Sequence, residues 1–162
     1  MRMNKSETYE FLDSKGIKYE ITEHKAVFNM DELGEVSLPY PECDAKNLFV
    51  RDDKKINYYL ITVKGNKRVD LKKFRKMHGL RALSFASGEE LSEYMKLTPG
   101  SVTPLGILND AEHKIRFYLD SDFKDNIIGV HPNENTATVW LRASDLMNLL
   151  REHGSAAEYT EI

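Results

Sequence analysis

Short apolar runs bounded by charged or turn-forming residues follow one another along the whole chain. Runs that alternate apolar and polar residues, or that are rich in β-branched and aromatic residues, predict strands. Runs with apolar residues at helical spacing, or with a capping residue before them and glycine or proline after them, predict helices. The predicted strands are 17–22, 46–51, 56–63, 104–108, 114–120, 127–130 and 136–142, with a short strand after Gly154, and the predicted helices are 4–15, 30–36, 71–78, 89–97 and 145–153.

Polar residues at the ends of these segments indicate how the elements begin and how they are joined. The polar stretch 52–55 separates two β-rich runs and therefore predicts a hairpin. Ser, Asn and Asp side chains can accept hydrogen bonds from the first N–H groups of a helix. The expected caps are Asn29 for helix 30–36, Asp70 for 71–78, Ser87 for 89–97, with Glu90 completing a capping box, and Ser144 for 145–153.

The close alternation of helix and strand signals predicts one domain of the α/β (α+β) class spanning 1–162. We expect a central mixed β-sheet surrounded by helices. Hydrophobic residues make up 41% of the 162 residues and charged residues 30%, which argues against a disordered chain. No apolar run reaches the length of a membrane span, and the first ten residues lack the apolar core of a secretory signal. We therefore expect a cytoplasmic protein without a membrane partner, and the single Cys43 excludes an internal disulfide.

The formal net charge is −3, so binding to nucleic acid would require a local basic patch. Residues 64–76 form such a patch, with seven Lys and Arg residues against the single acid Asp70. Two interpretations of this stretch are equally open: contacts to an RNA backbone, or a solvated helix face. The candidate backbone contacts are Lys67, Arg68, Lys72 and Lys76.

Residues 100–104, Gly-Ser-Val-Thr-Pro, lie between a predicted helix and a predicted strand. Glycine at position 100 permits a positive φ, and successive backbone N–H groups can surround an anion or a polarised carbonyl. The alternative is a helix stop followed by ordinary turn residues.

Two further positions place polar side chains at the ends of apolar strands. Lys46 and Asn47 begin one strand, where they could hold an anion, and His131 directly follows another, where loops converge. The alternative is a solvated strand end for Lys46 and a structural, half-exposed residue for His131. The chain contains no phosphate-binding P-loop, no dinucleotide fingerprint and no nucleophile elbow, and its histidines lack metal-ligand spacing.

Four segments together resemble the YbaK/ProX family of aminoacyl-tRNA deacylases, which is related to the editing insertion of bacterial prolyl-tRNA synthetases. They are AKNLFVRD at 45–52, YYLITVKG at 58–65, GSVTPLGIL at 100–108 and GVHPNENTATVWL at 129–141. Their order and spacing cover nearly the whole chain. Within the family, the Lys-Asn-Leu-Phe and His-Pro segments look most like the ProX branch, which hydrolyses Ala-tRNA(Pro).

The resemblance implies a role for each candidate residue. Lys46 would anchor the phosphate or ribose at the tRNA acceptor end, and His131 would line the aminoacyl pocket. Gly100, Ser101 and Val102 would present backbone N–H groups to the ester carbonyl. The substrate-binding positions would be Asn47, Thr103 and Pro104.

The resemblance also implies a reaction without a side-chain nucleophile, a cofactor or a dedicated metal. A ribose hydroxyl of the terminal adenosine would assist the attack of water on the aminoacyl ester. The implied partner is aminoacylated tRNA(Pro), with prolyl-tRNA synthetase as a second candidate. Two alternatives remain open: a deacylase for another mischarged tRNA such as Cys-tRNA(Pro), and a non-catalytic module that senses an aminoacyl-tRNA or an amino acid.

Overall fold

A computed structural model describes residues 4–23, 40, 43–134 and 136–162. The predicted helix 30–36 and its expected cap, Asn29, lie outside this range. The helices are α1 (Lys5–Ser14), α2 (Leu71–His78), α3 (Gly88–Met95) and α4 (Ala143–His153). The strands are β1 (Tyr19–Glu23), β2 (Ala45–Asp52), β3 (Tyr58–Lys64), β4 (Leu83–Phe85), β5 (Ile115–Asp120), β6 (Ile127–Val130), β7 (Ala137–Arg142) and β8 (Ala157–Thr160).

Five strands form a mixed sheet in the order β4-β2-β3-β5-β8. The β2–β3 pair is the predicted antiparallel hairpin, whereas β3 pairs with β5 and β5 with β8 in parallel. Apolar residues on both faces of β3 are buried, as expected for a strand covered from both sides. This sheet confirms the predicted mixed α/β architecture.

A second sheet of three antiparallel strands, in the order β1-β7-β6, lies beside the mixed sheet, and the sequence did not predict that these strands pair separately. Its closest connection to the first sheet is a parallel bridge between Asp44 and Gly129. A Cβ at Gly129 would overlap the ring of Trp140, so this position needs glycine for close packing. The separation was not predictable because alternation along a strand identifies the strand but not its distant partner.

Three helices begin directly after a residue whose side chain accepts a hydrogen bond from the N–H groups of the first turn. Asn4 and Glu7 form a capping box on α1, and Ser87 and Glu90 form the predicted one on α3. The Asp70 side chain accepts hydrogen bonds from two N–H groups of α2, which confirms the predicted cap.

The cap predicted for α4 is wrong. This helix begins at Ala143 rather than after Ser144, and its first residue is preceded by Arg142, which makes no side-chain capping bond. The N–H of Ala143 instead donates to the carbonyl of Asn126, 2.9 Å away. Strand β7 therefore runs directly into α4, and tertiary contact satisfies a group that a cap would otherwise satisfy.

The strand predicted for 104–108 is also wrong, because Pro104–Asn109 forms a 3-10 helix. Pro104 occupies the first turn, where its missing N–H costs nothing, and the Thr103 hydroxyl accepts a hydrogen bond from the N–H of Leu105. Gly106 faces Leu97 and Met95 so closely that a Cβ would collide with the Leu97 side chain. Leu105 and Ile107 of this helical segment are fully buried, and Leu108 is half-buried.

Two hydrophobic clusters cover the two faces of the five-stranded sheet. The larger contains residues of α1, α3, α4, the 3-10 helix and the three-stranded sheet. The smaller is formed by β2, β3 and β5 with Phe74 of α2. Within the described ranges no helix is long and apolar enough to cross a membrane.

Candidate active site

Asn47 lies on the face of β2 that packs toward the larger cluster, and its amide is held at both ends. Its Nδ2 donates to the carbonyl of Val102 at 3.2 Å, and its Oδ1 accepts from the hydroxyl of Thr62 at 2.7 Å. Thr62 is the cross-strand neighbour of Asn47 on β3. The structure therefore connects the start of β2 to the Gly100–Pro104 loop.

Gly100 adopts a φ of 91°, a left-handed conformation that favours glycine. The N–H of Ser101 closes a turn on the carbonyl of Thr98 at 3.0 Å. In the part of the chain that the structure describes, the N–H groups of Gly100 and Val102 have no hydrogen-bond acceptor. Two of the three N–H groups expected to face a carbonyl are thus available, and that of Ser101 is used within the loop.

The same loop is joined to the segment that follows β6. The hydroxyl of Thr103 donates to the backbone carbonyl of His131 at 2.7 Å. Nδ1 of His131 lies 3.1 Å from the carbonyl of Ala137, and because a carbonyl only accepts, Nδ1 carries the proton of this bond. His131 is half-buried and its ring orientation is fixed by β7.

Three of the predicted loop residues are buried in the protein. Ser101 is 5% exposed, and Thr103 and Pro104 are also buried. The Thr103 hydroxyl donates to one backbone group and accepts from another, so its hydrogen is already engaged inside the protein. Its position makes it a link between the loop and His131.

Side chains of α1 form hydrogen bonds with the residues that follow His131, and the sequence did not reveal these contacts. Asn133 is fully buried with a φ of 66°, and its Nδ2 donates to the hydroxyl of Thr8 at 3.3 Å. Lys5 donates to the hydroxyl of Thr136 at 3.3 Å. Nothing in the sequence indicated this role for Asn133, because no local pattern connects it to a helix more than a hundred residues earlier.

Lys46 extends from the opposite face of β2, as the alternation of side chains along a strand requires. Its Nζ donates to the backbone carbonyl of Lys67 at 3.1 Å. The neighbouring Leu48 and Val50 on this face pack in the smaller cluster. The structure thus brings together Asn47, Val102, Thr103 and His131, and it docks the half-buried Lys46 on the loop before α2.

Lys67 is engaged in an ion pair. Its ammonium lies 2.7 Å from the fully buried carboxylate of Asp120 and 3.0 Å from that of Asp122. Desolvation lowers the pKa of Lys67, but hydrogen bonds and charge from these carboxylates outweigh that effect and raise it. Much of its positive charge is therefore neutralised within the protein.

The other predicted RNA contacts lie on an open basic surface. Arg68, Lys72 and Lys76 are exposed, and they form no ion pair with any residue that the structure describes. The carboxylate of Asp70 caps α2 at the same place. Arg68, Lys72 and Lys76 together form the basic surface.

Asp44 is an unexpected buried acid directly before β2. It is 7% exposed, and its Oδ2 has no hydrogen-bond partner among the described residues. Burial raises its pKa to about 7, against the opposing effect of a hydrogen bond from the Ala45 N–H. Only its place before a β-rich run could have drawn attention to it.

The described residues hold no metal-binding cluster, and one cavity lies away from Asn47 and His131. No group of three His, Cys, Asp or Glu side chains that could hold a metal ion occurs among the described residues. A cavity of about 540 Å³ is lined by residues at the start of β6 and the end of β7, including Cys43 and Arg142. Neither Asn47 nor His131 lines this cavity.

Comparison with known proteins gives the family. The model of the aminoacyl-tRNA editing domain matches residues 24–149. The chain is 34% identical over 152 residues to the prolyl-tRNA editing protein ProX of Acetoanaerobium sticklandii, with 93% of each chain covered. It is 30% identical over 155 residues to the prolyl-tRNA synthetase associated domain-containing protein 1 of Mus musculus, covering 93% of this chain and 91% of that protein.

A solved structure shares the fold. A crystal structure provisionally described as a trans-editing enzyme for prolyl tRNA synthetase matches with a TM-score of 0.71 at 20% identity, covering 100% of this chain and 99% of that chain. These findings confirm the resemblance drawn from the four segments and the prediction of an editing enzyme. The chain belongs to the aminoacyl-tRNA editing family.

Proposed function

We propose that this protein hydrolyses mischarged Ala-tRNA(Pro) in trans and releases alanine and free tRNA(Pro). The observation that carries the proposal is the linkage of Asn47, the Gly100–Pro104 loop and His131 by hydrogen bonds. These residues come from three distant segments, and the loop that joins them carries the N–H groups of Gly100 and Val102, which could donate to a polarised ester carbonyl. The name of the A. sticklandii relative, a prolyl-tRNA editing protein, supports the choice of tRNA.

The proposed reaction depends on positioning rather than on a nucleophilic side chain. The N–H groups of Gly100 and Val102 would stabilise the negative charge that develops on the carbonyl oxygen. Water adds to the carbonyl carbon, the bond between that carbon and the ribose oxygen breaks, and the ribose oxygen leaves with a proton. The adjacent ribose hydroxyl would orient the attacking water.

Lys46 and His131 would hold the two ends of the reacting group. Lys46 lies on the opposite face of β2 from Asn47, so in this proposal its ammonium would exchange the Lys67 carbonyl for a phosphate or ribose at the acceptor end of the tRNA. His131, fixed by Ala137, would limit the space for the amino acid side chain. A proline-sized synthetase site discriminates poorly against a smaller amino acid, by only about 1–3 kcal/mol per methylene, so a separate hydrolytic site is needed.

Most of the affinity would come from the RNA, since an alanyl group alone offers few atoms to bind. The basic surface is the proposed contact for the tRNA backbone, and Lys67 would support it by holding the adjacent loop through Asp120. The proposed setting is the cytoplasm, with prolyl-tRNA synthetase as the source of the substrate.

Deacylation of purified Ala-, Cys-, Ser- and Pro-tRNA(Pro), measured side by side, tests the proposal. We expect alanine release to be fastest. Lys46→Ala should reduce that rate by about 10- to 100-fold, the effect of losing a hydrogen bond to a charged group. Lys54→Ala, an exposed lysine in the turn beyond the other end of β2, is the matched control and should retain the parent rate. Faster release of cysteine would contradict the proposed substrate, and absence of release from every tRNA would contradict the proposed function.

A further inference from the structure

Thr62 is a hydroxyl residue inside the apolar run of β3. It is fully buried, and the neighbouring Ile61 and Val63 are buried hydrophobic residues. A buried hydroxyl is costly unless it forms a hydrogen bond, so a threonine here requires a partner. That partner is the amide oxygen of Asn47, 2.7 Å from the Thr62 hydroxyl.

This bond and the bond to Val102 together hold the Asn47 amide in one orientation. Oδ1 can only accept a hydrogen bond, so Thr62 is the donor. At the other end of the amide, Nδ2 faces the carbonyl oxygen of Val102 at 3.2 Å. A rotated amide would bring Oδ1 against the Val102 carbonyl oxygen, and two acceptors repel each other, so Val102 determines which end of the amide faces the loop. The Thr62 hydroxyl then donates to Oδ1 and holds the amide in that orientation.

The fixed orientation determines what Asn47 offers to a ligand. Nδ2 carries two hydrogens, and only one of them is used by Val102. The second has no acceptor among the residues described by the structure. Asn47 therefore presents a hydrogen-bond donor beside the loop, and its bond to Val102 also holds the peptide plane that joins Val102 to Thr103.

We propose that Thr62 is a positioning residue for the editing reaction, which acts by setting the Asn47 amide and through it the Gly100–Pro104 loop. This inference rests on the proposed deacylase function. Thr62 is fully buried beside Asn47 on the neighbouring strand, so it would act through Asn47 rather than by contact with the substrate.

The test compares Thr62→Val, which preserves shape and removes the hydroxyl, with Thr62→Ser, which retains it. We expect kcat for Ala-tRNA(Pro) deacylation to fall about tenfold in Thr62→Val, as expected for a buried acceptor that loses its donor. KM should change by less than about twofold because the RNA contacts are untouched, and Thr62→Ser should recover kcat to within about twofold of the parent. Thr22→Val is the matched control, because it removes a threonine hydroxyl bonded to Trp140 in the other sheet.

A spectroscopic measurement keeps this inference separate from the proposed function. In 1H–15N spectra the Asn47 side-chain amide resonances should shift in Thr62→Val and return toward the parent position in Thr62→Ser. An active parent with unchanged kcat in Thr62→Val overturns the positioning role, as does a Thr62→Ser variant that is as slow as Thr62→Val at an unchanged Tm. A parent that releases no alanine overturns the proposed function, and unshifted Asn47 resonances then overturn the Thr62 inference as well.

Discussion

Replacing Asp44 by asparagine should stabilise the protein at alkaline pH and leave its stability unchanged at acid pH. Asp44 is 7% exposed, and burial raises its pKa from an ordinary value of 3.8 to about 7. Because the raised pKa belongs to the folded state, the protonated acid is favoured in that state. The contribution of Asp44 to the free energy of unfolding is therefore fully present below about pH 4, and it is lost as the pH rises toward about 7.

The magnitude follows from the difference between the two pKa values. At about 1.4 kcal/mol per pH unit, the shift from 3.8 to about 7 corresponds to about 4 kcal/mol at full ionisation. Asparagine stays neutral and can still accept a hydrogen bond from the Ala45 N–H. The stability difference between Asp44→Asn and the wild type should therefore grow from near zero at pH 4 to several kcal/mol at pH 8.

Urea denaturation at pH 4, 5, 6, 7 and 8 measures this difference, and the shared titration of all other groups cancels between the two proteins. Asp125→Asn, at an exposed position with a φ of 63° that asparagine tolerates, is the matched control. A difference that does not change from pH 5 to pH 8, or a wild type more stable than Asp44→Asn at pH 8, would contradict a raised pKa of Asp44 in the folded state.

Two further predictions concern the loop and the basic surface. Gly100→Ala places a Cβ at a φ of 91° and should cost about 1–2 kcal/mol of stability and lower kcat for deacylation, whereas Gly79→Ala, at a φ of 65° after α2, should cost similar stability and keep kcat. Equal kcat values in the two variants would argue against a catalytic role of the loop. Replacing Arg68, Lys72 and Lys76 together by glutamine should weaken tRNA binding at low salt and reduce the slope of log affinity against log salt by about 2–3, as measured by filter binding. An unchanged slope would show that the RNA backbone lies elsewhere.

Local chemistry made much of the fold predictable. The Asp70 cap and the Ser87–Glu90 capping box are satisfied by atoms within a few residues, and each appears as predicted. The hairpin of β2 and β3 follows from two β-rich runs and a short polar turn. Ser144 failed as a cap because the N–H of Ala143 finds its acceptor on Asn126, outside the helix. Such a contact cannot be read from local sequence.

The candidate site was predictable only in part, for a similar reason. Gly100, Asn47 and His131 carry local signals: a glycine after a helix and polar residues at strand ends. Thr62 and Thr8 act through hydrogen bonds to distant residues, and nothing in their own segments marks those partners. The docking of Lys46 on the Lys67 carbonyl and the neutralisation of Lys67 by Asp120 likewise depend on tertiary structure.

The division into two sheets bears on which amino acids the proposed site would accept. Asn47 belongs to the five-stranded sheet, whereas His131 follows β6 of the three-stranded sheet. Two residues proposed to face the substrate are therefore carried by separately hydrogen-bonded sheets, which are bridged at Asp44 and Gly129. If His131 limits the space for the amino acid as proposed, substitutions at the junction of the two sheets would change selectivity without contacting the tRNA.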